Sequence, residues 1–512
     1  MSATFEVKIQ KYDPTLPAGP LQASYRLEGG RKRTVLEVLR EIYRSQDPDL
    51  CFRSSCGIGR CGACAVQVNG RAVLACQSIV EEADLVIEPL AGYPVLKDLI
   101  VDRSPYQERL KGLRPYLDRL GWESPAPHGS DEAWAALRSL SRCIECLACT
   151  SGCPVYGEIP QEFAGPALYT ILAKWDLHPG NRLDRPLLAL AGGIHNCTSC
   201  KSCSVHCPKG IDVFREAILR LRSANAAQGR GLPKMQKGFL PALAQSGKLY
   251  TSSSKRFTAE HGEVFSGTAW SREIGLFLGC QLEVKKQKQA ETLVRILLEA
   301  GYRVVVPREQ ECCGGPLQWT GQADSLGKQV LRNVGLFAGR GLKTVVTACA
   351  GCGMTLKHDY PPIYQRLTGQ ELPFRVQDLT EALLSAESAN PYGGLNLKIT
   401  YHDPCHLNRG QGIEEQPRRL LKGIPGLELV EMPEADRCCG GMAVSANPTL
   451  AAYLAARKAR SILSTGAQAA VTSCPTCQDV LRQALARAGL PVPVYLLSDL
   501  LSLARHSLGG RT

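Results

Sequence analysis

The sequence predicts a multidomain chain with α+β and α/β parts, and three observations carry that prediction. Short alternating segments flank a helical run near the N-terminus. Helical sequence in the middle is interrupted by two cysteine-rich stretches ending in Cys-Pro. In the C-terminal half a strand–helix–strand–helix–strand order occurs twice. A length of 512 residues exceeds what one core supports. Boundaries are expected at 1–105, 106–235, a linker over 236–270, 271–395 and 396–512. With 44% hydrophobic and 21% charged residues, the chain is neither disordered nor fibrous. No apolar run approaches the roughly 18 residues of a membrane span, and MSATFEVKIQ lacks the apolar core of a secretory signal. The expected location is cytoplasmic, with a peripheral place on the inner face of the cell membrane as its variant.

That location makes 23 cysteines informative. A reducing compartment disfavours a disulfide framework, and the usual reason to keep so many thiols there is metal. The net charge of +12 raises the question of an acidic partner. Lys and Arg form no block, however, and thiolates bound to iron add negative charge, so a nucleic-acid partner is not expected.

In the N-terminal module, alternation at Phe5, Val7 and Ile9 predicts a first strand, and Tyr25 and Leu27 a second. Val35, Val38, Leu39 and Ile42 have helical spacing. Cys56, Cys61 and Cys64 then form C-x4-C-x2-C, with Cys76 after eleven more residues, which is the plant-type spacing for a 2Fe-2S centre. Asn69-Gly70 between AVQV and RAVL predicts a tight hairpin that returns Cys76 to the cysteine loop. Gly57, Gly59 and Gly62 would let backbone amides approach the sulfurs. A zinc knuckle is the alternative, but it needs two separated pairs. Cys51 is expected to be an ordinary buried thiol.

The middle segment begins with helix-like EAWAALRSL, for which Ser130 or Asp131 is a plausible cap. CIECLACTSGCP (143–154) and CTSCKSCSVHCP (197–208) follow. In this motif three cysteines wrap one cubane, and the fourth, before proline, ligates the other. Cys143, Cys146, Cys149 and Cys207 are therefore expected to hold one 4Fe-4S cluster, and Cys197, Cys200, Cys203 and Cys153 a second. Pro154 and Pro208 are expected to turn the chain away from the clusters.

The C-terminal half repeats a five-cysteine pattern: Cys280, Cys312, Cys313, Cys349 and Cys352, then Cys405, Cys438, Cys439, Cys474 and Cys477. Corresponding members lie 125, 126, 126, 125 and 125 residues apart, as tandem duplication requires. GLFLGC, YRVVVPREQECCGG and TVVTAC each read as a strand running into cysteine, with helices between. Right-handed crossovers would make a parallel sheet and bring the cysteines to its carboxyl end, where open α/β sheets bind ligands. Gly314, Gly315, Gly440 and Gly441 are expected to leave room for a bulky centre. From the residues alone this is a five-thiol metal or redox site. A reactive thiol pair, a zinc site and buried structural cysteines stay open as alternatives.

The 2Fe-2S module, PVLKDLIVD (94–102), the two C-x2-C-x2-C-x3-C-P motifs and FAGPAL (163–168) resemble the iron-sulfur subunit family of succinate dehydrogenases and fumarate reductases. That resemblance implies a β-grasp 2Fe-2S ferredoxin domain, a helical dicluster ferredoxin domain and docking on an FAD-containing flavoprotein subunit. Two departures stand out. Cys200 replaces the family's usual apolar residue, implying a 4Fe-4S rather than a 3Fe-4S centre. PVYGE (154–158) lacks the tryptophan of the family's quinone pocket. Both C-terminal copies resemble the CCG domains of the heterodisulfide reductase family. This implies tandem α/β CCG domains with a noncubane 4Fe-4S cluster in one or each, acting on a disulfide through Cys312, Cys313, Cys438 and Cys439. The combination is similar to that of the thiol:fumarate reductases.

The expected function is that of an iron-sulfur electron-transfer subunit working between a flavoprotein and a thiol/disulfide or quinone couple. Its cofactors would be one 2Fe-2S cluster, two 4Fe-4S clusters and the noncubane centres. Two alternatives are an iron-sulfur subunit of a 2-hydroxy acid or glycerol-3-phosphate dehydrogenase, and a carrier that docks on a membrane anchor without chemistry of its own. His402, Asp403 and His406 surround Cys405 and are candidate proton carriers or ligand-orienting groups. Asp378 and Asp499 are expected to be structural.

Overall fold

The computed structural model describes residues 4–16, 19–80, 84–117, 130–250, 256–267, 270–386, 392–490 and 492–509. It divides into two compact units, Met1–Cys197 with Lys201–Gly231 and Thr198–Cys200 with Leu232–Thr512.

In the first unit Phe5, Val7 and Ile9 point one way into the core of a five-stranded sheet. The strand order is Leu21–Glu28, Thr4–Lys11, Leu85–Glu88, Ala65–Val68 and Arg71–Leu74. The helix Val35–Ser45 lays Val35, Leu36, Val38, Leu39 and Ile42 inward. Its start is held by a capping box: the Thr34 hydroxyl accepts from the Glu37 amide at 3.2 Å, and Glu37 accepts from the Thr34 amide at 2.7 Å. Thr34→Ala is expected to cost about 1 kcal/mol, seen as reduced hydrogen-exchange protection across residues 35–45. Asn69 and Gly70 adopt φ of 47° and 76°, and Val68 pairs with Arg71, as a two-residue hairpin requires.

The rest of this unit is helical. Ser130 caps Asp131–Leu140 by accepting from the Ala133 amide at 3.2 Å. Pro166–Asp176 is buried throughout Pro166–Ala173. Pro154 does not turn the chain aside as expected. It opens the short helix Pro154–Glu158, at a position where a missing amide costs nothing; Pro208 lies in a turn.

The second unit holds two sheets of matching order. The first runs Val264–Phe265, Tyr302–Val305, Arg272–Leu276, Thr344–Thr347 and Arg375–Asp378, parallel except for the first strand. The second, fully parallel, runs Leu427–Leu429, Leu397–His402, Ala469–Thr472 and Val494–Leu496. One core joins the copies, because Ile296 and Leu297 of the helix Gln287–Glu299 cluster with Leu500, Leu501 and Ala504 of Leu497–Gly509. Asp378 accepts from the Thr380 amide at 2.9 Å and caps Leu379–Leu384, the structural role expected of it.

Residues 236–270 differ from the expected linker. Leu240 and Leu243 of the helix Lys234–Ser246 enter the first copy's core, the Gly247 carbonyl accepts from the Cys312 amide at 2.9 Å, and Val264–Phe265 adds a sheet edge. Two leucines three residues apart bury an apolar face that the polar character of the stretch conceals; its residues 251–255 and 268–269 lie outside those described. Among the described residues, no helix is long and apolar enough to cross a membrane.

Candidate metal centres

The Asn69-Gly70 hairpin returns Cys76 beside the loop of Cys56, Cys61 and Cys64. The Ala75 amide donates to the Cys64 carbonyl at 3.0 Å. Backbone amides point at the sulfurs: Gly59 to Cys76 and Arg60 to Cys56 at 3.3 Å each, and Ala63 to Cys61 at 3.5 Å. Gly57, Gly59 and Gly62 all take φ near 69°, the left-handed conformation that turns those amides inward. Amide donation, from Ile58 first, holds the exposed Cys56 thiol down to about 6, whereas burial pushes Cys64 up to about 11. The fifth cysteine, Cys51, is half-buried rather than buried; its Sγ donates to the Asp49 carbonyl at 3.5 Å.

Cys143, Cys146, Cys149 and Cys207 line one cavity with Ile144, Ala167 and Ile211. Burial pushes Cys143 up to about 11 and raises Cys146 and Cys149 as well, so these three sulfurs lie where a cation would offset their desolvation. The loop wraps through left-handed Glu145 and Leu147, and the second motif repeats this at Ser199 and Lys201. Such non-glycine residues cost about 1–2 kcal/mol each and persist where the surroundings over-determine them. Of the other four expected ligands, Cys153 and Cys197 lie near the buried Tyr169 hydroxyl, and Cys203 is buried in Ser202–Val205. Cys200 belongs to the second unit, in a buried cluster with Cys405 and Cys438. Its carbonyl accepts from Arg409 Nε at 2.9 Å.

The duplicated half goes further than its sequence pattern implies. Each sheet brings its five cysteines to its carboxyl end, and all ten line a single cavity of about 390 Å³. Cys405 and Cys438 Sγ are 4.0 Å apart, and Cys439 and Cys477 3.4 Å. The copies touch through sulfur. The Cys349 thiol is held well below its usual value by hydrogen bonds first to Cys352 of its own copy and then to Cys474 of the other. Cys312 is pushed well above the usual thiol range, first by its hydrogen bond to Cys280. A dense, buried, all-sulfur donor set fits multi-iron centres, in which adjacent sulfurs serve different irons. The Gly315 and Gly440 amides donate to Cys313 and Cys438 at 3.4 Å each.

The four glycines serve mainly another purpose than the expected room. Gly314 and Gly440 have φ of 77° and 86°. A Cβ on Gly440 would meet Leu454 at 2.9 Å, and one on Gly315 would meet Trp319 at 2.8 Å. Of the four, only Gly441 lines the cavity.

The three polar residues around Cys405 separate. Asp403 is buried in a bidentate pair with Arg418, at 2.9 and 2.7 Å, so it braces the fold. His406 is held down to about 4 by burial, bonds the Ser199 carbonyl at 3.1 Å and lies against Trp319 with centroids 4.6 Å apart. His402 brings a ring nitrogen within 4.8 Å of two cysteine sulfurs, those of Cys439 and Cys477. Trp319, Tyr250 and Lys285 also line the cavity, and no sequence motif marks them. Trp319 stands where the second copy has Ser445, an asymmetry that comparing the repeats could flag.

With its cysteine loops, two dicluster motifs and ten-cysteine cavity, the chain falls in the class of iron-sulfur electron-transfer subunits of oxidoreductases. Family models agree: residues 6–108 match a 2Fe-2S iron-sulfur cluster binding domain, 139–211 a 4Fe-4S dicluster domain, and 274–357 and 399–482 a cysteine-rich domain. The chain is 36% identical to the B component of the fumarate reductase (CoM/CoB) of Methanothermobacter marburgensis, over 97% of this chain and 99% of that one, and it belongs to that protein's family. It is 30% identical to the D component of the dihydromethanophenazine:CoB--CoM heterodisulfide reductase of Methanosarcina barkeri, over 73% of this chain and 95% of that one. It is 32% identical to the fumarate reductase iron-sulfur subunit of Haemophilus influenzae, over 41% of this chain and 89% of that one. These relatives are subunits of reductases.

Proposed function

We propose that this chain relays electrons between an FAD-containing flavoprotein subunit, which carries the dicarboxylate site, and a thiol/disulfide couple in the ten-cysteine cavity. Cys56, Cys61, Cys64 and Cys76 would hold a 2Fe-2S cluster. Cys143, Cys146, Cys149 and Cys207 would hold one 4Fe-4S cluster, and Cys153, Cys197, Cys200 and Cys203 another. Each five-cysteine set would hold a noncubane 4Fe-4S cluster. Clusters bound there would supply one-electron steps next to a two-electron exchange. Two thiols become a disulfide, releasing two electrons and two protons, and fumarate takes up two of each to become succinate.

The observation that carries this reading is the convergence of both sets on one cavity of about 390 Å³, a size that admits a small molecule. A conduit would need only buried ligands, whereas this space is walled by Phe239, Trp319, Met442 and Val480. Lys285, its ammonium over the Tyr250 ring at 4.4 Å, puts a cation on the wall and suits a substrate with an acidic group.

The test is anaerobic turnover of the chain co-purified with its flavoprotein, comparing fumarate reduction driven by dithiols with that driven by a menaquinol analogue. The expected result is dithiol-driven turnover, abolished in Cys312→Ala and in Cys438→Ala. Turnover by quinol alone would overturn the thiol assignment and make the duplicated half a wired route to a membrane partner.

A further inference from the structure

The two cysteine sets are not equivalent, and one of their differences lies directly beside the sulfurs. His402 ends the strand Leu397–His402 and has 0% exposure. Among the described residues neither of its ring nitrogens makes a hydrogen bond of ordinary geometry, which is costly for a buried imidazole, and the contact that remains is a looser one to the Cys439 thiol. One ring nitrogen and the sulfurs of Cys439 and Cys477 all lie within 4.8 Å of one another.

The repeat offset of 125 residues that relates Cys280 to Cys405 relates Phe277 to His402. Phe277 is equally buried, one residue past the end of the corresponding strand Arg272–Leu276, with its ring 6.0 Å from that of Phe337. A Cβ on Gly279 would lie 2.7 Å from Cys352 Sγ and 3.6 Å from the Phe277 ring, so ring and sulfur flank one point there, as His402 and Cys477 do in the second copy. The first set therefore has a hydrocarbon wall where the second has an imidazole.

We propose that His402 directs a ring N–H at the Cys439 and Cys477 sulfurs and makes the second five-cysteine set the higher-potential member of the pair. This rests on the reading that both sets hold clusters. The physical reason is charge. Reduction adds an electron to a buried, thiolate-rich centre, and a hydrogen-bond donor aimed at its sulfurs stabilises that added charge. In the low dielectric of the core such a bond is stronger than in water, and Phe277 offers none. His402 is thus a positioning and tuning residue, and it makes two otherwise duplicated sites unequal acceptors. Electrons shared between them would rest preferentially on the second.

The experiment is an anaerobic potentiometric titration, followed by electron paramagnetic resonance, on the full chain with its flavoprotein. Iron and acid-labile sulfide are counted in every sample. His402→Phe, which copies the first set, should keep its iron and shift the reduction equilibrium of one C-terminal centre about tenfold toward the oxidised form. For a one-electron couple that is about 59 mV. His402→Gln, which keeps an N–H donor, should recover most of the shift, and Phe277→His should shift the other centre the opposite way. Full iron with unmoved potentials in His402→Phe would overturn the proposal. So would a nitrogen coupling, in 15N-histidine-labelled protein, large enough to show direct ligation to iron. If His402→Phe loses iron, Phe277→His decides: a raised potential supports the proposal and an unmoved one overturns it. A wild-type iron count too low for two C-terminal clusters would instead remove the reading beneath it, before any potential is compared.

Discussion

Arg418→Met is expected to destabilise the second cysteine-rich domain by about 3–5 kcal/mol, the usual cost of leaving a buried charge without its partner. Arg418 donates to both oxygens of Asp403, at 2.9 and 2.7 Å, to Glu431 at 2.7 and 2.9 Å, and to the Glu414 carbonyl at 2.9 Å. Its guanidinium also lies over the Tyr401 ring, 5.5 Å from the centroid. The Asp403 side chain is only 3% exposed, so methionine would leave its carboxylate dry and unpaired, two residues from Cys405. Glu431, half-exposed, can turn to water and contributes less. Arg418→Lys keeps a charge but loses the planar fork, and an intermediate loss is expected. Hydrogen exchange in the strands Leu397–His402 and Ala469–Thr472 reads the opening of this domain without requiring the whole chain to unfold in one step. Unchanged protection there would show that the pair is not holding the strand end.

Gly193→Ala is expected to cost about 2–5 kcal/mol and to lower the iron bound by the second cubane motif. Gly193 has φ of 74° and ψ of 32°, a conformation that costs an alanine about 1–2 kcal/mol by itself. A Cβ there would also collide with the Glu162 carbonyl, a backbone atom that cannot swing aside, and overpacking of this kind adds about 1–3 kcal/mol. The strain falls on the turn Ile194–Asn196, which leads directly into Cys197. That turn is pinned by Asn196 donating to the Glu162 carbonyl at 3.1 Å and by Arg222 donating to the Ile194 and Cys197 carbonyls at 2.8 and 2.7 Å. Iron content and the spectrum of the cubane centres check the outcome. A variant with full iron and unchanged thermal stability would show that the chain yields here.

Local chemistry is what the sequence states openly. Asn69-Gly70 permits one tight hairpin, so the return of Cys76 is legible; Thr34 and Glu37 mark a helix start; Cys-Pro spacing implies which cysteines of the two middle motifs meet. The stretch over 236–270 reads as a linker because a polar composition hides two leucines whose destination is a distant core. Pro154 reads as a chain turn because proline there and proline at a helix start look alike until the next turn of backbone is known.

The sequence by itself determined the domain types, their order, the cysteine sets and the duplication, since each is written in residues close together or at a constant offset. Tertiary structure alone decided that the two sets face one cavity, that Cys349 meets Cys474, that Asp403 is taken by Arg418, and that His402 lies beside the Cys439 and Cys477 sulfurs. Those outcomes depend on how two sheets share the core joining Gln287–Glu299 to Leu497–Gly509. A packing angle between helices some two hundred residues apart leaves no local pattern to read.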